Sequence, residues 1–416
     1  MERPTLVPMR QELDNTRIDD FEATLARKIR DHLATASFNS GDTVALGVGS
    51  RGITPLVAAV STIIRELKAA GLEPFIVPAM GSHGGATPAG QEAVLAEYRI
   101  TESVVGAPIR ATMDTVVTGK GPRGFEYLMD ANAYNADHVA VLGRVKPHTD
   151  FHGDIESGLC KMTVVGFGKQ KGAERIHQHG LAESIPESAQ VAVDTGKILM
   201  GVAMVENPLD EPAYVEVVGG DRFHSTDREL LEKARTILPV LPADALHMLI
   251  VDEMGKNISG AGMDTNVIGL FRLLGEGPRT PDYRYITTLR LTPESNGNAT
   301  GIGMADLVTQ QLVDDMNPDY TYMNCLTSMT VQGARVPMTL PTDEAAIDTG
   351  LGLARRAAGS DTPLMARITN TMKLQHFQAS EPLAEQLEAA GSATRDGDPV
   401  ALQFTPTGDL ADLNGG

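Results

Sequence analysis

The chain has 416 residues, enough for one or two compact domains with a sizeable core. A hydrophobic fraction of 42% with only 4% aromatics and no Trp points to an aliphatic α/β interior. The net charge of −19 argues against nucleic-acid and anionic-membrane partners, since either surface would repel it.

The first twenty residues hold no apolar signal core, and no stretch approaches the roughly 20 apolar residues of a membrane span. Cys160 and Cys325 are too few for a disulfide framework and suit a reducing compartment. A cytoplasmic protein is expected. In chain order, TVALGVGS (43–50) reads as a strand ending in glycines. A helix follows, with Thr54 as N-cap, Pro55 at its first position and Gly71 ending it. EPFIVPAM is a second strand, and TPAGQEAVLAEY a second helix after the loop GSHGGA. This β-α-β-α start predicts a parallel sheet. HVAVLGRV (138–145) is a further buried strand, and the polar region 205–245 reads as a connection between lobes. A second unit is expected to start near 246 with HMLIVDEM, followed by the strands YRYITTLRL and LMARITNT. MADLVTQQLVDDM and EPLAEQLEAAG read as its helices, and the Gly/Asp-rich tail after 392 as loosely packed.

The fold expectation is two α/β lobes, each with a mainly parallel sheet flanked by helices. Residues 1–245 form an N-terminal catalytic and cofactor-binding domain, 246–395 a C-terminal domain, and 396–416 a tail returning toward the N-terminal lobe. The active site is expected in the inter-lobe cleft. Ligands of open α/β sheets sit at the carboxyl ends of the strands, so the loops around Arg51, His83 and His148 are expected to converge.

The segment 146–179 concentrates chemistry: four of the ten histidines (His148, His152, His177, His179), four lysines and Arg175. Imidazole both ligates transition metals and shuttles protons near neutral pH. From Arg144 to Arg175, six basic residues outnumber four acids, which suits a small anionic ligand on an otherwise acidic protein. GVGSRGITP has the form of an anion-binding strand–turn–helix, through Gly49, Ser50 and Arg51, and equally of a plain tight turn. It lacks the spacing of a dinucleotide fingerprint or a P-loop. His83, flanked by small residues in GSHGGAT, has little to pack against and suits proton transfer. A mononuclear metal site is the rival reading of the histidines, with His148, His152 and His177 or His179 as ligands. Asp150, Asp154 or Glu156 would complete it, in a hydrolase or lyase. The glycine-rich loop GKNISGAGMDTN (255–266), with Lys256 and Asp264, is either an anion contact or an inter-lobe hinge.

Taken together, SRGITP, MGSHGGAT, KPHTDF, SGLCKM and His177 resemble the nickel-dependent lactate racemase family, across most of residues 43–180. The resemblance implies a racemase or epimerase of 2-hydroxyacids working through a nickel-pincer nucleotide. It implies that Arg51 lies near substrate or cofactor and that His83 and His148 are the two acid/bases. Lys161 would carry the pincer covalently, and His177, sixteen residues further on, would ligate nickel. Cofactor contacts are expected at Gly49, Ser50, Gly158, Lys161 and Lys256. A small anionic hydroxyacid and cofactor-maturation proteins are the expected partners. The chain departs from the family at Val48, where an acid is usual, and at Cys160, which stands for arginine before the lysine. The longer spacing from His148 to Lys161 makes His152 a rival for the second acid/base; the proline before His148 favours His148. A non-catalytic hydroxyacid- or nucleotide-binding protein is the remaining alternative.

Overall fold

The computed structural model describes residues 3–50, 53–121 and 123–411. Arg51, expected at the site, lies outside the described residues. The chain divides into two compact units, Asp14–Leu238 and a second made of the residues up to Leu13 with those from Pro239 on. The first strand, β1 (Thr5–Arg10), belongs to the second unit. Its Leu6, Val7 and Met9 are buried there, and it pairs antiparallel with the strand His376–Ser380.

In the unit Asp14–Leu238 the described elements begin with α1 (Phe21–Leu33), β2 (Thr43–Val48), α2 (Leu56–Ala69), β3 (Glu73–Pro78) and α3 (Pro88–Glu97). β4 (His138–Arg144), α4 (Lys169–Gln178), β5 (Ile198–Glu206), β6 (Pro212–Val218) and α5 (Phe223–Ile237) follow. The sheet runs β3-β2-β4-β5-β6, parallel except for the last pairing. Strand alternation divides its core in two. Val44, Leu46 and Val48 pack with Ile29, Val60 and Ile63 of α1 and α2, whereas Ala45 packs with Phe167, Ile176 and Phe223 on the other face. Gly47 lies on that second face beneath Phe167, and a Cβ there would meet the ring at 2.2 Å. Gly47→Ala therefore forces Phe167 aside, at an expected cost of about 1–3 kcal/mol, read as a lowered melting temperature.

The region 205–245, expected as a connector, instead supplies β6 and α5 to this unit. The reason is that Val215 and Val218, with Phe223, Leu230 and Leu231, are apolar enough to enter its cores. The expected helix after Thr54 begins at Leu56, with Pro55 rather than Thr54 as its cap residue.

In the second unit β7 (Met248–Met254), β8 (Ile286–Leu291), β9 (Leu307–Thr309), β10 (Met338–Leu340) and β11 (Met365–Ile368) run parallel in the order β10-β9-β8-β7-β11. The strand His376–Ser380 and β1 extend this sheet antiparallel. The predicted helix over 304–316 is in fact β9 followed by a short helix, Gln310–Asp314. Thr309 makes the break: its hydroxyl donates to Leu289 O and accepts from Leu312 N–H, capping the helix. Among the described residues the tail, expected to pack loosely, is held by backbone pairing. Thr394–Arg395 and Val400–Ala401 both pair with β1, inside the sheet of their own unit. Among the described residues no helix is long and apolar enough to cross a membrane.

Candidate functional site

Because β2, β3 and β4 are parallel neighbours, their carboxyl ends share one edge, and each opens into one of the segments singled out from sequence. The β2 and β3 loops meet: Ser50 Oγ lies 2.6 Å from His83 Nδ1. His83 itself is exposed. Its loop is fixed from beneath by Gln91, fully buried on α3, whose amide donates to Gly81 O at 2.9 Å and His83 O at 3.3 Å. Gln91 Oε1 in turn accepts from Lys169 Nζ at 3.1 Å, and Lys169 also donates to Pro78 O at the end of β3. Lys169 is completely buried and pairs with Asp130 at 2.9 Å. Burial pushes the Asp130 carboxyl up and the Lys169 amine down, and each opposes the shift of the other.

At the α2 end of the first motif a carboxylate of the protein already occupies one backbone amide. Thr54 N–H, at the entry to that helix, donates at 2.6 Å to Glu206 Oε1, a carboxylate of β5 also paired with Arg144 at 2.8 Å. Burial raises the Glu206 carboxyl, with Arg144 opposing it. Gly49 is packed against Met162, whose Cε would lie 3.2 Å from an added Cβ.

The segment after β4 is organised by Glu156, whose side chain is fully buried. Oε2 accepts from His148 N–H at 2.7 Å, and Oε1 from Gly153 N–H at 3.0 Å. His152 Nδ1 lies 3.2 Å from Oε1, and Arg235 of α5 reaches it at 2.6 Å. Burial alone would raise this carboxyl; the hydrogen bonds from His152, His148 N–H, Gly153 N–H and Arg235 outweigh it and hold it below its usual value. The His148 ring lies over Phe151 with centroids 4.6 Å apart, and its Nδ1 accepts from Asp150 N–H at 3.0 Å.

Gly158 (φ 91°) starts the short helix Leu159–Lys161. The amides of Leu159 and Cys160 both donate at 2.8 Å to Asp227 of α5, a fully buried carboxylate. An added Cβ on Gly158 would sit 2.2 Å from Asp227 Oδ1, so a packing demand accounts for the glycine. Cys160 is buried and its thiol is pushed well up by burial, then by Asp227, which disfavours the thiolate. Lys161, half-buried, leaves this helix into the turn Met162–Gly166, and α4 then carries His177. His177 Nδ1 is 2.6 Å from Ala173 O, so Nδ1 holds the hydrogen and Nε2 presents a lone pair. His179 instead stacks on Phe125, rings 4.2 Å apart and 4° from parallel. Among the described residues no three His, Cys, Asp or Glu side chains gather as metal ligands, so the four histidines do not form the rival mononuclear site. Lys256 belongs to the other unit, where its ammonium donates to Gly260 O at 2.5 Å and Asn324 Oδ1 at 2.8 Å. Asp264 caps the helix Thr265–Ile268.

No family model matches the chain, and no curated protein matches it in sequence. Solved structures do. The fold is similar to that of a lactate racemase. The lactate racemase apoprotein from Thermoanaerobacterium thermosaccharolyticum superposes with a TM-score of 0.51 at 11% identity, covering 89% of this chain and 99% of that one. A protein from Thermotoga maritima matches with a TM-score of 0.51 at 13% identity, covering 78% and 84%. At such identities the likeness is one of fold, and residue roles rest on local geometry.

Sequence reasoning singled out His83, His148, His152, Lys161 and His177. It did not single out Lys169, Gln91, Asp130, Asp227 and Arg235, which support the His83 loop, the Leu159–Lys161 helix and Glu156. The signal available for Asp227 is its position on the apolar stripe of α5, between Phe223 and Leu230 and Leu231. Lys169 similarly shares a stripe with Gly172, Ala173 and Ile176.

Proposed function

We propose that the protein is a racemase or epimerase of a 2-hydroxyacid, acting with a nickel-pincer nucleotide attached at Lys161. The observation that carries this reading is the pair of imidazole-bearing loops at the carboxyl ends of β3 and β4, the two parallel strands on either side of β2. Lys161 and His177 follow those loops in the same unit. A lactate racemase-like fold supports it. The donor chemistry fits the cofactor: His177 offers one imidazole nitrogen with its partner nitrogen already bonded, which suits a metal whose other ligands come from an organic group. When bound, the cofactor supplies the acceptor for the Cα hydrogen as hydride.

The chain's own residues supply the rest. As the Cα–H pair of electrons leaves, the hydroxyl proton passes to an imidazole and the C–O bond becomes C=O. Return of hydride to the other face of the flat 2-oxoacid, with reprotonation of oxygen, inverts the centre. A base is needed on each side, which His83 and an imidazole of the 145–157 segment provide. Arg51 is the proposed partner of the substrate carboxylate, since a guanidinium binds it bidentately. Cofactor-maturation proteins are the proposed partners.

Intact-mass and metal analysis of protein co-produced with pincer-synthesis enzymes tests this. The expected result is a nucleotide-sized adduct on Lys161 with nickel, absent in Lys161→Ala. An adduct-free wild-type chain under those conditions, or a variant of unchanged mass and activity, would sink the reading.

A further inference from the structure

We infer that the second imidazole to carry a proton is His152, held by Glu156, and that His148 serves as a fixed hydrogen-bond donor. The inference rests on the racemase reading above and deepens it. A histidine that must take up a proton and return it needs one nitrogen that always keeps its hydrogen and one that exchanges. The partner of the buried nitrogen decides which.

His83 is compatible with this requirement: its Nδ1 faces the Ser50 hydroxyl at 2.6 Å, an oxygen able to accept Nδ1–H. His152 meets it fully. Its Nδ1 faces a carboxylate oxygen of Glu156, which can only accept, so Nδ1 keeps its hydrogen and Nε2 is left to exchange. The carboxylate cannot swing away, because Gly153 N–H, His148 N–H and the Arg235 guanidinium hold it from other sides. The His152 side chain is 48% exposed, so it is reachable by a ligand.

His148 fails the requirement. Its Nδ1 accepts from the Asp150 N–H at 3.0 Å, and a backbone N–H is never an acceptor. The neutral ring therefore carries its hydrogen on Nε2, where a further proton has no place. Protonation at Nδ1 would set two hydrogens against each other. Within this loop the ring can donate to an anionic oxygen, such as a substrate carboxylate, but cannot act as a base. The residue nearer to Lys161 is thus the proton carrier, and the one that follows Pro147 is the anchor.

Histidine tautomers are directly readable. Full-length protein without cofactor, labelled with 15N in its histidines, gives two-bond proton–nitrogen correlations between about pH 5 and 8. His148→Gln and His152→Gln supply the assignments. The expected pattern for the neutral rings is hydrogen on Nδ1 in His152 and hydrogen on Nε2, with a lone pair on Nδ1, in His148. The reverse tautomers overturn the assignment.

On protein carrying the lysine adduct and nickel, His152→Gln is expected to lower kcat by roughly 100- to 10,000-fold. His148→Gln should chiefly raise KM for a single-enantiomer 2-hydroxyacid. A greater kcat loss in His148→Gln also overturns the assignment. Loaded wild-type protein that inverts none of a panel of such acids would remove the racemase reading, whereas the tautomer spectra decide the roles of the two histidines by themselves.

Discussion

Replacing Lys169 by Met is expected to lower the unfolding free energy of the Asp14–Leu238 unit by about 3–5 kcal/mol. The substitution leaves the buried Asp130 carboxylate without its cation and strips donors from Pro78 O and Gln91 Oε1. Volume is nearly conserved, so the loss is electrostatic rather than a cavity. Lys169 also sits at φ 55°, a left-handed conformation costing a non-glycine residue of order 1 kcal/mol, tolerated because the ion pair fixes the side chain. Urea denaturation reads the loss. Lys169→Met combined with Asp130→Asn should recover part of it, because the orphaned charge is gone; coupling between such neighbours is typically about 0.5–3 kcal/mol. Faster amide exchange at Gly81 and His83 should accompany the single variant, since Gln91 loses the partner that orients it. A Lys169→Met protein within about 1 kcal/mol of wild type would show that the network does not bear on stability.

The strands around the site were legible because β2, β3 and β4 are continuous apolar runs, as buried parallel strands must be. His83 was legible because glycines leave an imidazole nothing to pack on. β1 was not: Pro8 interrupts its run, and its sheet partner Phe377 lies at the far end of the chain. The helix expected over 304–316 failed for a different reason. Its apolar residues Leu307, Val308, Leu312 and Val313 have helical spacing, but Leu307 and Val308 are pulled into a ladder between β8 and β10. Local periodicity gave way to tertiary pairing. The supports of the site, Lys169 under His83, Glu156 under His152 and Asp227 under Lys161, are pairings between distant segments that no spacing rule announces. What the sequence does carry is a mismatch: a charged side chain at a position whose helical neighbours are all buried.

Asp227→Ala is expected to destabilise the Asp14–Leu238 unit by about 2–6 kcal/mol, because the Leu159 and Cys160 amides each lose their acceptor at roughly 1–3 kcal/mol apiece. The segment that should suffer first is 158–161, which carries Lys161, so cofactor attachment should fall before the unit as a whole unfolds. The effect is also expected to depend on pH in a defined sense. Burial pushes the Asp227 carboxyl up to about 7, against the pull of the two backbone N–H groups, from an unfolded value of 3.8. Between these values the folded state binds the proton and the unfolded state does not, so this group's contribution is fully present below about pH 4. It is lost as pH rises toward 7 and is constant above. The stability gap between wild type and Asp227→Ala should therefore narrow by roughly 2–3 kcal/mol from pH 5 to pH 8. Glu156, held below its usual value, shifts both proteins alike and cancels in the difference. Denaturation curves of the two proteins at both pH values give the gap directly. A gap that widened with rising pH would mean that the two N–H donors outweigh burial and that Asp227 is ionised throughout. Asp227 would then hold the Lys161 segment as a charged cap rather than as a neutral one.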